Sequence, residues 1–235
     1  MPIQKPLRYK ATTTLSKNLA SKFNYFEFQT TEDFNFIPGQ YINVIVAEHT
    51  FRAYSLATKD GNKKFGLLVD TRPGGPGSQF FERLKKNDEI EFLGPLGVFI
   101  IHPEDGAKNL LLLGTGSGIS PLKCMVDYQL KTLSSEIPLY LYFGLTNNKE
   151  IFWKDYFEEL EVKYKNFHFR FALLEPDNEW NGHKGYNTDL MKNDFQNTSD
   201  CGAYLCGHPA MIEGATNILL STGCPKERIY KERFL

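Results

Sequence analysis

Apolar residues recur along this chain in two different rhythms, and the change between them divides it. Arg8–Leu15, Phe23–Thr30, Gln40–Val46, Phe51–Ala57, Phe65–Thr71 and Glu89–Leu93 are short runs rich in β-branched and aromatic residues, the composition that suits a pleated surface. Pro38-Gly39, Asp60-Gly61-Asn62 and Gly94-Pro95 punctuate them as turns. Strands at this spacing predict a small antiparallel β-barrel. One helix interrupts them over Gln79–Leu84, with Ser78 expected to cap it by accepting from the free N–H groups of its first turn.

The second rhythm alternates strands with helices. Asn109–Leu113, Leu139–Phe143, Phe167–Leu173, Ala203–Cys206 and Ile229–Lys231 read as strands. Ser117 to about Leu133, Ile151–Tyr164 and Pro209–Leu220 read as helices. Such alternation predicts an α/β domain whose parallel sheet is covered on both faces. Glu, Asp and Gly cluster over Pro103–Lys108, which places the boundary there: a barrel domain over 1–104 and an α/β domain over 105–235. Ligands favour domain interfaces and the carboxyl ends of parallel strands, so motifs at strand ends carry the most weight.

Composition narrows the function classes. Of the 235 residues, 41% are hydrophobic and 23% charged, a globular balance, and the formal net charge of -1 supplies no basic field for nucleic acid or anionic lipid. Met1-Pro2-Ile3-Gln4-Lys5-Pro6 has no apolar signal region, and stretches such as Leu110–Leu113 are far too short to span a bilayer. Cys124, Cys201, Cys206 and Cys224 lack the close pairing of a zinc or iron–sulfur site and read as reduced thiols. These features predict a cytoplasmic protein with no metal and no integral membrane segment.

Several segments carry candidate chemistry, each with a plainer alternative. Leu110–Leu113 runs into Gly114-Thr115-Gly116-Ser117-Gly118-Ile119-Ser120-Pro121, a glycine-rich turn from strand to helix. Such a turn bares backbone N–H groups and points a helix N-terminus at a phosphate; a tight turn without a ligand would read the same. The third glycine comes one position early for the common dinucleotide fingerprint, no lysine follows as in a Walker loop, and Thr115 and Ile119 stand where a nucleophile elbow needs glycine. Gly74-Gly75-Pro76-Gly77-Ser78 is a second such turn, at the barrel helix. Arg52-Ala53-Tyr54-Ser55 offers a guanidinium for phosphate, a ring face for stacking and a hydroxyl, although strands often alternate polar and aromatic residues. Cys206-Gly207-His208-Pro209 ends a strand and opens a helix; its thiol is either a small buried hydrophobe or a nucleophile activated by the helix terminus. His208 reads as structural or solvent-facing. Tyr230 to Leu235 would be a frayed tail unless tucked into the domain interface.

Taken in order, these motifs resemble the ferredoxin–NADP(+) reductase superfamily over nearly the whole chain. The resemblance implies that Arg52, Tyr54 and Ser55 form that family's R-x-Y-S/T flavin motif: arginine on the pyrophosphate, tyrosine on the ring system, serine near flavin N5. Gly75 to Ser78 match the G-x-x-S turn that gives N–H groups to the same pyrophosphate, with Gly77, Val69 and Thr115 also expected to face the flavin. Gly94-Pro95-Leu96-Gly97-Val98-Phe99 resembles the turn before the second domain. Gly114, Thr115, Gly116, Gly118, Ile119 and Pro121 match the nicotinamide-nucleotide motif, and Cys206, Gly207 and Pro209 match the C-G-x-P motif beside the nicotinamide. Glu232 and Phe234 correspond to an acidic residue near the reacting centre and an aromatic beside the flavin. The implied catalytic set is Ser55, Cys206 and Glu232, with Phe234 as a small gate.

The departures matter too. No cluster of four cysteines exists for a two-iron, two-sulfur centre, so the implied protein is a bare reductase module with a separate electron acceptor, expected to be a ferredoxin, a flavodoxin or an iron–sulfur protein. Asp70 stands where many relatives carry a basic residue near the flavin phosphates, which keeps FMN open beside FAD. Relatives using NADP often carry arginine after the second and third strands of the nucleotide domain. Here those regions read Gly144-Leu145-Thr146-Asn147-Asn148 and Leu173-Leu174-Glu175-Pro176. Glu175 would repel a 2′-phosphate and accept from a ribose hydroxyl, which favours NADH over NADPH, while Lys149 lies close enough to serve an alternative pose. A reductase of free flavin or another small molecule, a non-turnover electron-transfer or redox-sensing subunit, and a colourless hydrolase or transferase are the competing readings.

Overall fold

The computed structural model describes residues 5–233. Its first half is a closed barrel of six antiparallel strands in the order β1-β2-β5-β4-β3-β6: β1 (Leu7–Ala20), β2 (Phe23–Thr30), β3 (Tyr41–Ala47), β4 (Thr50–Asp60), β5 (Lys64–Asp70) and β6 (Glu89–Leu96). Period-two alternation explains the closure. Along β3, Ile42, Val44 and Val46 are buried while Tyr41, Asn43 and Ile45 are not, so one face fills the barrel. Phe28, Phe34, Phe65 and Phe92 meet inside it at centroid separations of 5.0–5.3 Å, the edge-to-face and offset distances that aromatic rings prefer.

Two local readings of the sequence differ from the structure here. β6 continues through Gly94-Pro95 to Leu96, and the ladder to β3 absorbs the proline with an irregularity between Tyr41↔Leu96 and Asn43↔Leu93, since proline brings no N–H to a ladder. The barrel helix α1 begins at Pro76 and runs to Arg83, with Gly75 as its N-cap and no side chain capping it. Ser78 is therefore not the cap; it lies inside the first turn. Proline's fixed φ suits the first helical position, so the helix starts earlier than the serine suggests.

The second half is a six-stranded sheet in the order β10-β9-β8-β7-β11-β12, every adjacent pair parallel. Its strands are β7 (Asn109–Thr115), β8 (Leu139–Leu145), β9 (Phe167–Leu173), the two-residue β10 (His183–Lys184), β11 (Cys201–Gly207) and β12 (Ile229–Arg233). The helices are α2 (Ile119–Asp127), α3 (Lys154–Lys163), α4 (Asn187–Asp194) and α5 (Pro209–Ser221). The chain moves outward from β7 through β8 and β9, then returns to pair β11 on the other side of β7. That reversal opens a crevice at the carboxyl ends of β7 and β11.

A tight Gly116–Gly118 turn precedes α2, which passes into a single π-turn over Tyr128–Thr132. Trp153 adopts a left-handed conformation (φ 54°), so α3 starts at Lys154 and not at Ile151. Neither β10 nor α4 was expected, because their short stretch carries little apolar periodicity.

The two halves share one apolar core. Phe23, Tyr25, Ala57, Leu68 and Phe99 from the barrel side join Leu122, Met125, Phe143 and Phe152 in a single buried cluster. Phe23 packs on Phe152 at 4.7 Å and Tyr25 meets Trp153 edge-on at 5.6 Å. Burial of this kind, roughly 25 cal/mol per Å² of apolar surface, fixes the junction on which the site depends.

Candidate active site

Strand β4 carries Arg52, Tyr54 and Ser55 past the N-terminus of α1. Gly77 sits so close to Tyr54 that a Cβ there would lie 2.2 Å from the phenol oxygen and 3.3 Å from Cγ of Arg52. A side chain at 77 would have to displace the phenol end of Tyr54, and glycine leaves that space to the ring. Gly75 has open space where a side chain would be, and the first turn holds no acidic residue. The uncapped N–H groups of α1 therefore face a bare, electropositive surface beside the exposed Arg52, whose guanidinium donates, among the described residues, to the carbonyl of Phe51 at 2.8 Å. Tyr54 packs its ring edge-on against Phe81 at 4.8 Å, and burial pushes its hydroxyl pKa to about 12. A diphosphate with an attached planar ring fits this cradle by charge, by shape and by the face that Tyr54 offers.

The second cradle lies across the crevice. Gly118 packs so tightly on β11 that a Cβ would lie 2.4 Å from the carbonyl oxygen of Cys206. Gly116, in the left-handed region (φ 55°), turns the backbone into α2, whose first turn has neither a side-chain cap nor an acidic residue. Thr115 accepts at Oγ1 from the backbone N–H of His208 at 3.0 Å. This bond ties the loop after β7 to the loop after β11, where Gly207 (φ 135°) leaves no room for a side chain against Thr115. His208 caps α5 by accepting from the N–H of Ala210 at 3.2 Å, a structural role, and Pro209 occupies the first turn of that helix. Ile119 and Pro121 are buried, so their side chains serve the packing of α2.

Between the two cradles, three side chains from remote parts of the chain converge. Ser55 donates from Oγ to Oε2 of Glu232 at 3.1 Å. The Cys206 thiol lies 4.0 Å from the same oxygen. The strand register makes this meeting unavoidable, since Cys206 of β11 stands directly beside Glu232 of β12. Burial lifts the Glu232 carboxyl to about 7, and the hydrogen bond from Ser55 partly offsets that rise. Burial and the neighbouring carboxylate also raise the Cys206 thiol well above its ordinary value. The helix terminus that suggested an activated thiolate is outweighed by desolvation. Burial therefore favours the neutral, protonated form of the Cys206 thiol.

The remaining sequence candidates fall elsewhere. Val69 belongs to the barrel core, so its side chain is not brought to the crevice, and Phe234 lies outside the described residues. Asp70 is occupied by Arg72, accepting at both carboxylate oxygens from Nε at 3.0 and 2.9 Å. Two further residues were not anticipated. Arg72 pairs across the junction with Glu150 at 3.0 Å. Asn187, buried on α4, donates to the carbonyls of Gly114 and Tyr142, both at 3.1 Å, and so knits β7 to β8 beside the glycine-rich loop. The Asn-Thr-Asp run over 187–189 is the one sequence signal that marks a helix start there.

Comparison with known proteins accounts for this arrangement. A family model described as an oxidoreductase FAD-binding domain matches residues 7–101, and one described as an oxidoreductase NAD-binding domain matches residues 112–217. The chain belongs to the ferredoxin–NADP(+) reductase superfamily. As a member, it pairs an FAD-binding barrel with an NAD-binding sheet domain.

Among curated relatives, the toluate 1,2-dioxygenase electron transfer component of Pseudomonas putida is 32% identical over 201 residues, covering 85% of this chain and 59% of that protein. The phenol hydroxylase P5 protein of Acinetobacter pittii is 30% identical over 235 residues, covering 97% and 65%. The chain thus spans little more than half the length of several curated relatives it matches. Among solved structures, the reductase GcoB of Amycolatopsis superposes with a TM-score of 0.88 at 27% identity, over 97% of this chain and 70% of that one. A Neisseria gonorrhoeae ferredoxin NADP+ reductase with bound FAD and NADP shares the fold, with a TM-score of 0.82 at 20% identity, over 96% and 98%. No helix among the described residues is long and apolar enough to cross a membrane.

Proposed function

We propose that this chain is a reductase module that takes a hydride from NADH into bound FAD and hands the electrons to a separate redox protein. The observation that carries the reading is the Ser55–Glu232–Cys206 cluster, which lies between one anion cradle built on the barrel and another built on the sheet domain. Two planar rings held between those cradles would meet beside the cluster. Bound flavin supplies the redox chemistry, and the fold supplies position and electrostatics.

In this reading Arg52 neutralises the FAD diphosphate together with the N–H groups opened by Gly75, Gly77 and Ser78, and Tyr54 stacks on the ring. Gly114, Thr115, Gly116 and Gly118 take the dinucleotide, with Gly207 and Pro209 shaping the far wall. Ser55 holds its hydroxyl toward the reacting edge of the ring. Glu232 fixes the orientation of Ser55 and, with its carboxyl near 7, can keep or release a proton at neutral pH. Cys206, neutral and buried, sets the depth to which the nicotinamide enters. The boundary between the two functional units falls at residues 104 and 105.

The position of Glu175 supports the choice of NADH. Glu175 is exposed after β9, and its N–H donates to the carbonyl of Thr146 at 2.7 Å, which joins the two loops that would flank the adenosine. A carboxylate there opposes a 2′-phosphate and suits a free ribose hydroxyl. The electron acceptor is a ferredoxin, a flavodoxin or an oxygenase iron–sulfur protein; one curated relative is named as the electron transfer component of a dioxygenase. The four cysteines stand free and buried, in keeping with a cytoplasmic setting.

The deciding experiment is to purify the chain, identify the flavin released on denaturation, and compare bleaching of the bound flavin by NADH and NADPH. FAD bleached faster by NADH is the expected result. A protein that neither carries nor takes up flavin overturns the reading.

A further inference from the structure

We propose that Arg72 is the anion-facing wall of the dinucleotide crevice: its guanidinium, held in place by Asp70 and Glu150, receives the diphosphate of the nicotinamide dinucleotide and sets its affinity. This rests on the reading of Gly114–Pro121 as the dinucleotide loop. Arg72 itself belongs to the barrel half, just beyond β5, and reaches across the junction.

Position comes first. Nη2 of Arg72 lies 3.6 Å from where a Cβ on Gly116 would stand, so the guanidinium faces the bare backbone of the loop after β7. The guanidinium carbon rests over the Phe23 ring at 4.7 Å. Phe23 is buried against Phe152 of the other half, so the ring beneath the arginine is a fixed platform.

The side chain is also immobilised. Asp70 accepts from Nε at 3.0 and 2.9 Å and from Nη2, and takes the backbone N–H of Arg72 at 2.9 Å as well. Glu150 accepts from Nη1 at 3.0 Å. Its second oxygen accepts from the N–H of Thr146 at 3.2 Å, which ties the arginine to the loop after β8. The Glu150 side chain is 11% exposed, whereas the Arg72 side chain is 41% exposed. The carboxylates lie behind and the cation lies at the surface.

Donor capacity completes the case. A guanidinium has five N–H groups. Asp70 and Glu150 engage one each on Nε, Nη1 and Nη2, which leaves one each on Nη1 and Nη2 without a partner among the described residues. A phosphate is the planar-fork partner such a pair matches. Because the rotamer is already fixed, little side-chain entropy is lost when the anion arrives. Arg72 would then work opposite the N-terminus of α2, with one anion contact from each half of the molecule.

The test uses the flavin-loaded protein and three probes: ADP-ribose, which carries the diphosphate without nicotinamide, followed by calorimetry; NADH; and 1-benzyl-1,4-dihydronicotinamide, a hydride donor with no phosphate. Arg72→Gln should weaken ADP-ribose binding and raise the KM for NADH by about tenfold or more, the loss of a charge-assisted contact. The kcat and the rate with the benzyl donor should stay unchanged, and Arg72→Lys should recover part of the affinity. Asp70→Asn, which keeps the cation and loosens its aim, should fall between Arg72→Gln and wild type in ADP-ribose affinity, and it serves as the second variant if Arg72→Gln unfolds. Unchanged ADP-ribose affinity in the variants overturns the role of Arg72 alone. Equal slowing with NADH and the benzyl donor also overturns it, since that marks a merely structural residue. A wild-type protein that binds no ADP-ribose overturns the dinucleotide reading together with this one.

Discussion

Ser55 and Glu232 stand 177 positions apart in the sequence and share a hydrogen bond of 3.1 Å across the domain junction. The bond joins the barrel strand that carries the flavin motif to the outermost strand of the sheet. Neither half alone contains it.

Removing the hydroxyl tests this link directly. Ser55→Ala should slow reduction of bound flavin by NADH roughly a hundred- to a thousandfold, the scale for removing one preorganised hydrogen-bonding group at a reacting centre. The flavin itself should remain bound, because Arg52 and the start of α1 are untouched. Stopped-flow reduction in a single turnover measures the first effect, and the visible spectrum of the purified variant measures the second.

Glu232 makes stability depend on pH with a definite sign. Below its ordinary value of 4.5 the carboxyl is protonated in the folded and unfolded chain alike. Between 4.5 and about 7 the unfolded chain gives up the proton while the fold retains it, so stability falls as pH rises through this window and the loss is complete above it. Glu232→Gln should remove that slope. In flavin-free protein, denaturant midpoints compared from about pH 4 to 8 should show the variant gaining on wild type by on the order of 3 kcal/mol.

Gly118→Ala should be costly in a way that flexible neighbours cannot relieve. Its Cβ would meet the carbonyl oxygen of Cys206 at 2.4 Å, its carbon at 2.6 Å and Cα of Gly207 at 2.7 Å, all of them backbone. Forcing the loops apart should cost about 1–3 kcal/mol and weaken binding of NAD+ as well, read as a lower thermal midpoint and a raised Kd.

Reversing the charge after β9 tests the nucleotide preference. Glu175→Lys should shift the ratio of kcat/KM for NADPH over NADH upward by roughly tenfold, a gain of about 1.4 kcal/mol. The same ratio in wild type and variant would remove Glu175 from the specificity argument.

Much of this molecule was legible in its sequence. Period-two runs such as Tyr41–Ala47 and buried runs such as Leu110–Leu113 define strands by themselves, and the glycines at 75, 77, 114, 116 and 118 mark the two turns where backbone is bare. What the sequence hid depends on long-range contact. Asn187 looks like any polar helix residue until its amide is found between the carbonyls of Gly114 and Tyr142. Arg72 lies in no motif and matters only because Glu150, on the far side of the junction, comes to meet it. Cys206 misled in the other direction: its place before a helix suggests an activated thiolate, but complete burial decides its protonation.

The acidic group beside Ser55 rides on β12, the outermost strand, between Lys231 and Arg233. A slip of one residue along β11 would put a cation next to Cys206 where a carboxylate now stands, inverting the local field without any mutation. Tyr230 opposes such a slip, stacked on Tyr204 at 4.8 Å, parallel to His102 at 4.6 Å, and donating to Asp105 at 3.0 Å. A tyrosine far from the reacting atoms thereby helps keep an acidic group, and not a cation, at the centre.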